Sequence, residues 1–358
     1  MPTVAPRRPR ILLLSMYPLD RGLWGPTVRI THMRDALSRL VDLDVVSGLR
    51  RHRALALMRY AAGTRLGALD GIYVESSTTL PGPLDVAFLA FARRRGVPVL
   101  TYVRDAYPLF PEYAGGSFKE RLRRRLFMPA FRGLAKASTM VAYPSRGLAD
   151  VLSLGTRSIL LPPGAPDPVP LERRRDANQL LHVGSLRHAV LGAGILREAV
   201  ESVRAAGHDV ELTCVAQLGD DPPGHVPAWM HVVRASGSQI HDLLPAVLAS
   251  VIPRHRSPYN DLALPIKVMD YLSYGRPLLV TNCTETARIV RAGACGVVVD
   301  DTAAALAAGI TELVTASAVT LDRFSEAAHR TAEANAWRHR AQQVVDTLSS
   351  VRARPQML

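Results

Sequence analysis

One stretch of the chain concentrates the residue types that anion chemistry needs. Residues Ser257–Pro277 read SPYNDLALPIKVMDYLSYGRP. Pro265 can open a helix as its first residue, and Gly275 followed by Pro277 closes it. Lys267 and Asp270 are three apart and so share a helix face. A lysine in a first helical turn beside a strand end can hold a phosphate. An aspartate one turn on can accept hydrogen bonds from a ribose diol, as acidic residues do in dinucleotide sites. The plainer alternative is a local Lys–Asp ion pair on a solvated helix, worth a few tenths of a kcal/mol. A second stretch, Leu180–Arg187, reads LLHVGSLR. It gives a strand, a tight turn at Gly184 and Ser185, and then Arg187, whose fork of donors can clamp a diphosphate. Gly184 lets backbone N–H groups approach an anion, and the helix that follows adds positive potential. An ordinary strand-to-helix turn with a surface arginine has the same pattern.

The first half offers different chemistry. Trp24-Gly25-Pro26-Thr27 follows the first strand. There Gly25 can admit a ligand close to the backbone, or the segment is a turn with Thr27 as helix cap. Arg104-Asp105 stands at the carboxyl end of the Val97–Val103 run, the functional edge of an α/β sheet. Asp105 either orients or deprotonates an acceptor hydroxyl, or caps a turn. Asp42-Leu43-Asp44 has the form of a metal motif but begins a strand-like run and reads as structure. No His, Cys and carboxylate cluster has zinc spacing. In 117–128, Ser117 and Glu120 form a capping box, and Phe118, Leu122 and Leu126 make one apolar stripe. Lys119, Arg121, Arg123, Arg124 and Arg125 flank it. Such a basic amphipathic helix lies on an anionic membrane, or packs its stripe on the domain while its charges are solvated.

The elements that must position these residues alternate regularly. Apolar runs at Arg10–Ser15, Leu43–Val46, Ile72–Glu75, Val97–Val103, Thr139–Ala142 and Ile159–Leu161 are separated by helical patterns such as Thr27–Leu40. A Pro-rich break follows at Pro162–Pro170. The alternation resumes at Gln179–Val183, Asp209–Ala216, His231–Val233, Val247–Ile252, Pro277–Thr281 and Gly296–Val299, and a helical stretch Leu321–Val351 ends it. Buried strands alternating with amphipathic helices predict parallel sheets covered on both faces. The expected organisation is a Rossmann-like domain over 1–165, a linker over 166–178, a second Rossmann-like domain over 179–330 and a C-terminal helix over 331–358. Ligands are expected at the carboxyl ends of strands and in a cleft between the domains.

The run PIKVMDYLSYGRPLLVT resembles the donor-binding signature of retaining, nucleotide-sugar-dependent glycosyltransferases of the GT-B fold, family 4 or group 1. There the pattern is P-x-K-x-x-E-Y-L-A-x-G-x-P-V-V. Leu181–Arg187 is similar to that family's glycine loop, Thr284–Asp300 to its following segment, and Ala336-Trp337-Arg338 to the start of its last helix. Arg104–Pro108 is similar to the R-D-x-W-P segment of one branch; Gly22–Leu37 and Ser138–Leu152 also match in order. The resemblance implies a GT-B fold and sugar transfer with retention, using Gly184, Ser185, Arg187, Tyr259, Pro265, Ile266, Lys267 and Asp270 at the donor. Trp24, Gly25, Thr27, Arg104 and Asp105 face the acceptor. It also implies work on cell-surface polysaccharide, glycolipid or natural products. The chain departs from the pattern twice. Leu262 stands at the first of two acidic positions, near Asn260 and Asp261, and Leu191 stands where a phosphate-loop lysine is usual. Lys267, or Arg254 and Arg256, can replace that cation.

Transfer builds positive charge on the sugar and negative charge on the departing diphosphate. Arg187 and Lys267 can stabilise that group without a metal, so no cofactor is expected. The rival readings are a catalytically weak relative that binds nucleotide-sugar or supports a partner enzyme, and a GT-B sugar-nucleotide epimerase. At 48% hydrophobic residues the 358-residue chain can bury two cores. Residues 1–165 carry 25 basic and 11 acidic side chains, whereas 166–358 carry 19 and 20, so the excess charge sits on the expected acceptor side. Nothing reads as a nucleic-acid motif. Cys214, Cys283 and Cys295 form no CxxC and suggest a reducing compartment. No apolar segment is long enough to span a bilayer. The expectation is a cytosolic enzyme whose 117–128 helix is the candidate contact with the inner face of a membrane.

Overall fold

The computed structural model describes residues 7–19, 25–63, 65–113, 116–170, 174–222 and 224–352. It divides into two units, Met1–Gly164 with Trp337–Leu358, and Ala165–Ala336.

In the first unit six strands form one parallel sheet: β1 (Arg10–Ser15), β2 (Asp42–Val46), β3 (Gly71–Glu75), β4 (Val99–Tyr102), β5 (Met140–Tyr143) and β6 (Ser158–Leu160). Their order across the sheet is β2-β1-β3-β4-β5-β6. Helices α1 (Gly25–Ser38), α2 (Arg50–Ala62), α3 (Pro83–Arg94), α4 (Phe118–Ala137) and α5 (Arg146–Leu152) connect them. The central strands are mostly apolar because both faces are covered; Leu12, Leu13 and Leu14 are fully buried. Asp44 in β2 accepts a 2.9 Å hydrogen bond from Arg10 Nε, a structural use of the Asp-Leu-Asp run.

The second unit repeats the design with β7 (Gln179–Val183), α6 (Ala193–Ala205), β8 (Glu211–Val215), β9 (Met230–Val233), β10 (Val247–Ile252), α7 (Ile266–Ser273), β11 (Leu278–Thr281), α8 (Thr284–Gly293), β12 (Gly296–Val299), α9 (Ala303–Thr315) and α10 (Ala318–Ala334). Its parallel order is β12-β11-β10-β7-β8-β9. Side chains alternate between two cores. Leu181, Leu278 and Val280 pack on one face, and Leu180 and Leu279 on the other. β7 and β10 are neighbours, and the chain leaves them in opposite directions, towards β8 and towards β11. That is the switch point of the sheet, where ligands of such folds bind.

Three boundaries differ from expectation. The stretch expected as linker runs with the second unit: Val169 N–H donates to Ser273 O (2.8 Å) and Arg174 N–H to Pro245 O (2.9 Å). The final helical stretch is two helices, α10 and α11 (Trp337–Arg352), broken at Asn335–Ala336. Periodicity hides the break. Asn335 ends α10 by turning its side-chain amide onto Thr331 O (2.8 Å), while its carbonyl accepts from Ala165 N–H (2.9 Å). The return to the first unit therefore begins at Trp337, not at 331. Among the described residues no single helix is long and apolar enough to cross a membrane.

Candidate donor site and its acceptor-side counterpart

At the switch point of the second unit, two loops close on each other. The loop after β7 carries Gly184–Gly192, and the loop after β10 carries Pro253–Asn260. Buried Asn260 ties them, donating through Nδ2 to Val190 O (3.1 Å) and His255 O (2.8 Å). Gly192 makes the approach feasible: its φ is +77°, and a Cβ there would lie 1.6 Å from Pro253 O. Tyr271 on α7 accepts a 2.6 Å hydrogen bond from Val183 N–H through its hydroxyl, fixing the end of β7 against the helix. Pro265 is the cap of α7 rather than its first residue, which is Ile266. Lys267 thus lies in the first turn.

A small pocket results. Its walls include His182, Gly184, Leu191, Arg254, Pro265 and Lys267. Gly184, Pro265 and Lys267, which the resemblance implied for one site, line this pocket. Leu191, in place of a lysine, contributes an apolar wall. Arg254 supplies a second cation, whereas Arg256 is engaged by Asp261 at 2.9 Å. Asp261 also accepts from Thr284 N–H (3.0 Å), so it serves the local fold. Ser185 donates to Asp220 (3.0 Å), and Asp220 also accepts from Leu186 N–H, which sets the loop's shape. Arg187 is exposed and lies outside the pocket wall. Tyr259 is half-buried and outside the pocket wall; its carbonyl accepts from Leu262 and Ala263 N–H.

Charges in the pocket are tuned. Burial, reinforced by Arg254, pushes the Lys267 ammonium down to about 8, with Asp270 and Asp220 pulling the other way. Burial raises the Asp270 carboxyl to about 7 against the opposing pull of Lys267. His182, which stands inside a strand sequence, is a wall residue that sequence reasoning missed. Its only advance signal was a polar side chain in an otherwise apolar run. Tyr271 and Asp220 gave no such signal.

At the corresponding strand edge of the first unit, Arg29 and Glu75 form a buried ion pair (3.3 Å). Tyr73 bridges it, accepting from Arg29 (3.1 Å) and donating to Glu75 (2.7 Å). The Arg29 guanidinium lies 3.6 Å from the Tyr102 ring centroid and 5.5 Å from that of Trp337. None of these was read as functional from sequence; they lock α1, β3, β4 and α11 together. Arg104 reaches into the same cluster, donating to Pro26 O (3.0 Å) and approaching Glu75 at 3.4 Å. Asp105 is buried. It accepts from Tyr107 N–H, the turn-cap role, while its Oδ1 has no hydrogen-bond partner among the described residues. Burial raises its carboxyl to about 7. Thr27 is buried in the third position of α1, so it is not the cap; the helix begins at Gly25. Trp24 lies outside the described residues.

The pocket's loops lie within a segment that carries a family signature. Residues 177–316 match the model of glycosyl transferases group 1. That match indicates a glycosyltransferase enzyme. Among curated protein sequences, none matches the chain. Solved structures share the fold over nearly the whole length. A glycosyltransferase from Rickettsia africae superposes with a TM-score of 0.69 at 12% identity, covering 96% of this chain and 98% of its own. Sucrose-phosphate synthase from Thermosynechococcus elongatus gives 0.66 at 14% identity, covering 97% and 100%. Anabaena HepE, solved with UDP, gives 0.65 at 14%, covering 95% and 100%. The fold is the GT-B α/β architecture of these neighbours.

Proposed function

We propose that the protein transfers a sugar from a nucleotide-sugar to a hydroxyl acceptor, with retention of configuration and with fixed cations in place of a metal. The observation that carries this reading is the meeting of Gly184, Lys267 and Arg254 at the switch point of the segment that matches the family. As the anomeric bond breaks, the departing diphosphate gains charge. Lys267, Arg254 and the first turn of α7 meet that charge, and exposed Arg187 closes on it from the opposite loop. Asp270, one turn after Lys267, accepts from hydroxyls of the donor. UDP, bound by the Anabaena neighbour, is the first nucleotide to test. Arg104 and Asp105 of the first unit face the acceptor, a glycan, glycolipid or natural product, and Asp105 orients its hydroxyl.

The enzyme works on the cytosolic side, with α4 against an anionic membrane. Supporting this, Phe118, Leu122 and Leu126 are 71%, 45% and 41% exposed, so the stripe does not pack on the domain.

The test is nucleoside diphosphate release from a panel of sugar nucleotides. Lys267→Ala and Arg187→Ala are each expected to lose about 2–4 kcal/mol of transition-state stabilisation, as other fixed charge stabilisers do. Unchanged rates in both variants would remove the assignment.

A further inference from the structure

The helices of the first unit fall on two sides of its sheet. The step from β1 to β2 runs one way across the sheet and carries α1. The steps from β2 to β3, β3 to β4 and β4 to β5 run the other way. Right-handed crossovers therefore place α2, α3 and α4 together, on the face opposite α1. α3 lies in the middle and packs against both neighbours. Two ties fix the row. Arg53 of α2 and Asp85 of α3 form a buried bidentate pair, with hydrogen bonds of 2.7 and 2.6 Å. Arg93, in the last turn of α3, donates to Lys136 O of α4 (2.5 Å).

The outer surface of that row differs from an ordinary solvated one. α2 buries Arg53, Leu57 and Tyr60 and turns positions 51, 52, 55, 58, 59 and 62 outward. That spacing is a single helical stripe. Leu55 and Met58, 54% and 50% exposed, form its centre, and Arg51 and Arg59 flank them. Leu84 of α3 is 53% exposed, and α4 adds the apolar stripe described above. The three helices carry 13 basic residues and 2 acidic ones. Both acids are engaged locally: Asp85 with Arg53, and Glu120 as part of the α4 cap, accepting from Ser117 N–H (3.0 Å). Cations crowded in this way repel one another, and an anionic surface relieves the repulsion. A nucleic acid would meet the cations but leave Leu55, Met58 and Leu84 without a partner. The interface of an anionic bilayer takes both, with arginines at lipid phosphates and aliphatic groups at the acyl boundary. We propose that α2 shares the membrane contact with α4, so that the face built by α2, α3 and α4 lies along an anionic bilayer with Leu55 and Met58 in its interface. The inference extends the membrane reading of α4 and rests on it for the kind of partner.

The experiment places a polarity-sensitive fluorophore on the full chain at one cysteine at a time: Met58→Cys in α2, Phe118→Cys in α4, and Gln342→Cys on α11, which packs against α1 on the opposite face. The three native cysteines are buried, and the parent treated identically supplies the blank. Vesicles of phosphatidylcholine and phosphatidylglycerol in equal parts are expected to shift the emission of the labels at 58 and 118 to the blue and to leave the label at 342 unchanged. Vesicles of phosphatidylcholine alone are expected to shift none. Arg51→Glu combined with Arg59→Glu is expected to weaken binding to the anionic vesicles about tenfold or more. Both side chains are exposed, so this variant should melt at the parent's midpoint. A label at 58 that stays water-like while the label at 118 shifts overturns the proposal and leaves the α4 reading standing. So does a double variant that binds the vesicles as the parent does. Duplex DNA that shifts the label at 58 as far as the vesicles do would make the face a nucleic-acid surface and overturn it too. If the parent binds no anionic vesicle, the α4 reading falls and this inference with it.

Discussion

Asp105 shows how one residue serves two demands. Its carboxyl takes a backbone N–H from Tyr107 and leaves Oδ1 bare in a buried site. The pKa is raised from the ordinary 3.8 to about 7. The folded state therefore holds a proton that the unfolded state releases. The stability this represents is complete below about pH 4 and is lost as pH rises through 7. Asp105→Asn, which keeps the shape and stays neutral, should match the parent near pH 4. By pH 8 it should exceed the parent by about 2–4 kcal/mol. Chemical denaturation across that range checks it; a difference between variant and parent that stays flat with pH would refute the buried, protonated carboxyl.

Elements carry the geometry that these residues need. The loop after β7 reaches the loop after β10 only because Gly192 has no Cβ and adopts φ +77°. Gly192→Ala must move Pro253 or unwind the turn. It is expected to cost more than about 1 kcal/mol of stability and to weaken nucleotide binding at once, because Arg254 adjoins Pro253. Parallel melting and binding curves measure both, and an unaffected variant would contradict the close approach. In the first unit, α4 buries Phe127, Phe131 and Leu134 but leaves its first two turns outward and basic. Flotation with anionic liposomes should weaken when Arg123, Arg124 and Arg125 become Glu. A parent protein that never floats would end the membrane reading of α4. Sequence carried these elements well where the pattern was continuous. β1, β7, β10 and β12 have the expected limits, since an apolar run bounded by turn residues leaves little choice. The same reading failed at Asn335, where helical periodicity ran on through a break made by one side-chain amide and a contact from Ala165.

For the whole molecule, the two units divide the charge more sharply than the sequence halves suggested. With Trp337–Leu358 assigned to it, the first unit has 29 basic and 12 acidic residues, a net +17. The second has 15 and 19, a net −4. The unit with the candidate donor pocket is thus slightly acidic, and two of its cations, Lys267 and Arg254, line that pocket. The broad positive field belongs to the unit proposed to meet acceptor and membrane. Lys267 and Gly184 were legible as candidate site residues because first-turn cations and glycine turns follow simple rules of charge and backbone, whereas Arg187 lies outside the pocket wall. His182 and Asp220 were not, since their roles depend on which strands become neighbours. The claim that joins these observations is that the second unit binds a nucleotide-sugar through Lys267. Its most direct test is a melting screen of the parent and Lys267→Ala against UDP, GDP, ADP and dTDP and their glucose conjugates. A ligand held only by the folded state raises the midpoint. The account predicts that at least one sugar nucleotide raises the parent's midpoint and that Lys267→Ala loses most of the rise; an unmoved parent midpoint throughout, or an undiminished rise in Lys267→Ala, would contradict it.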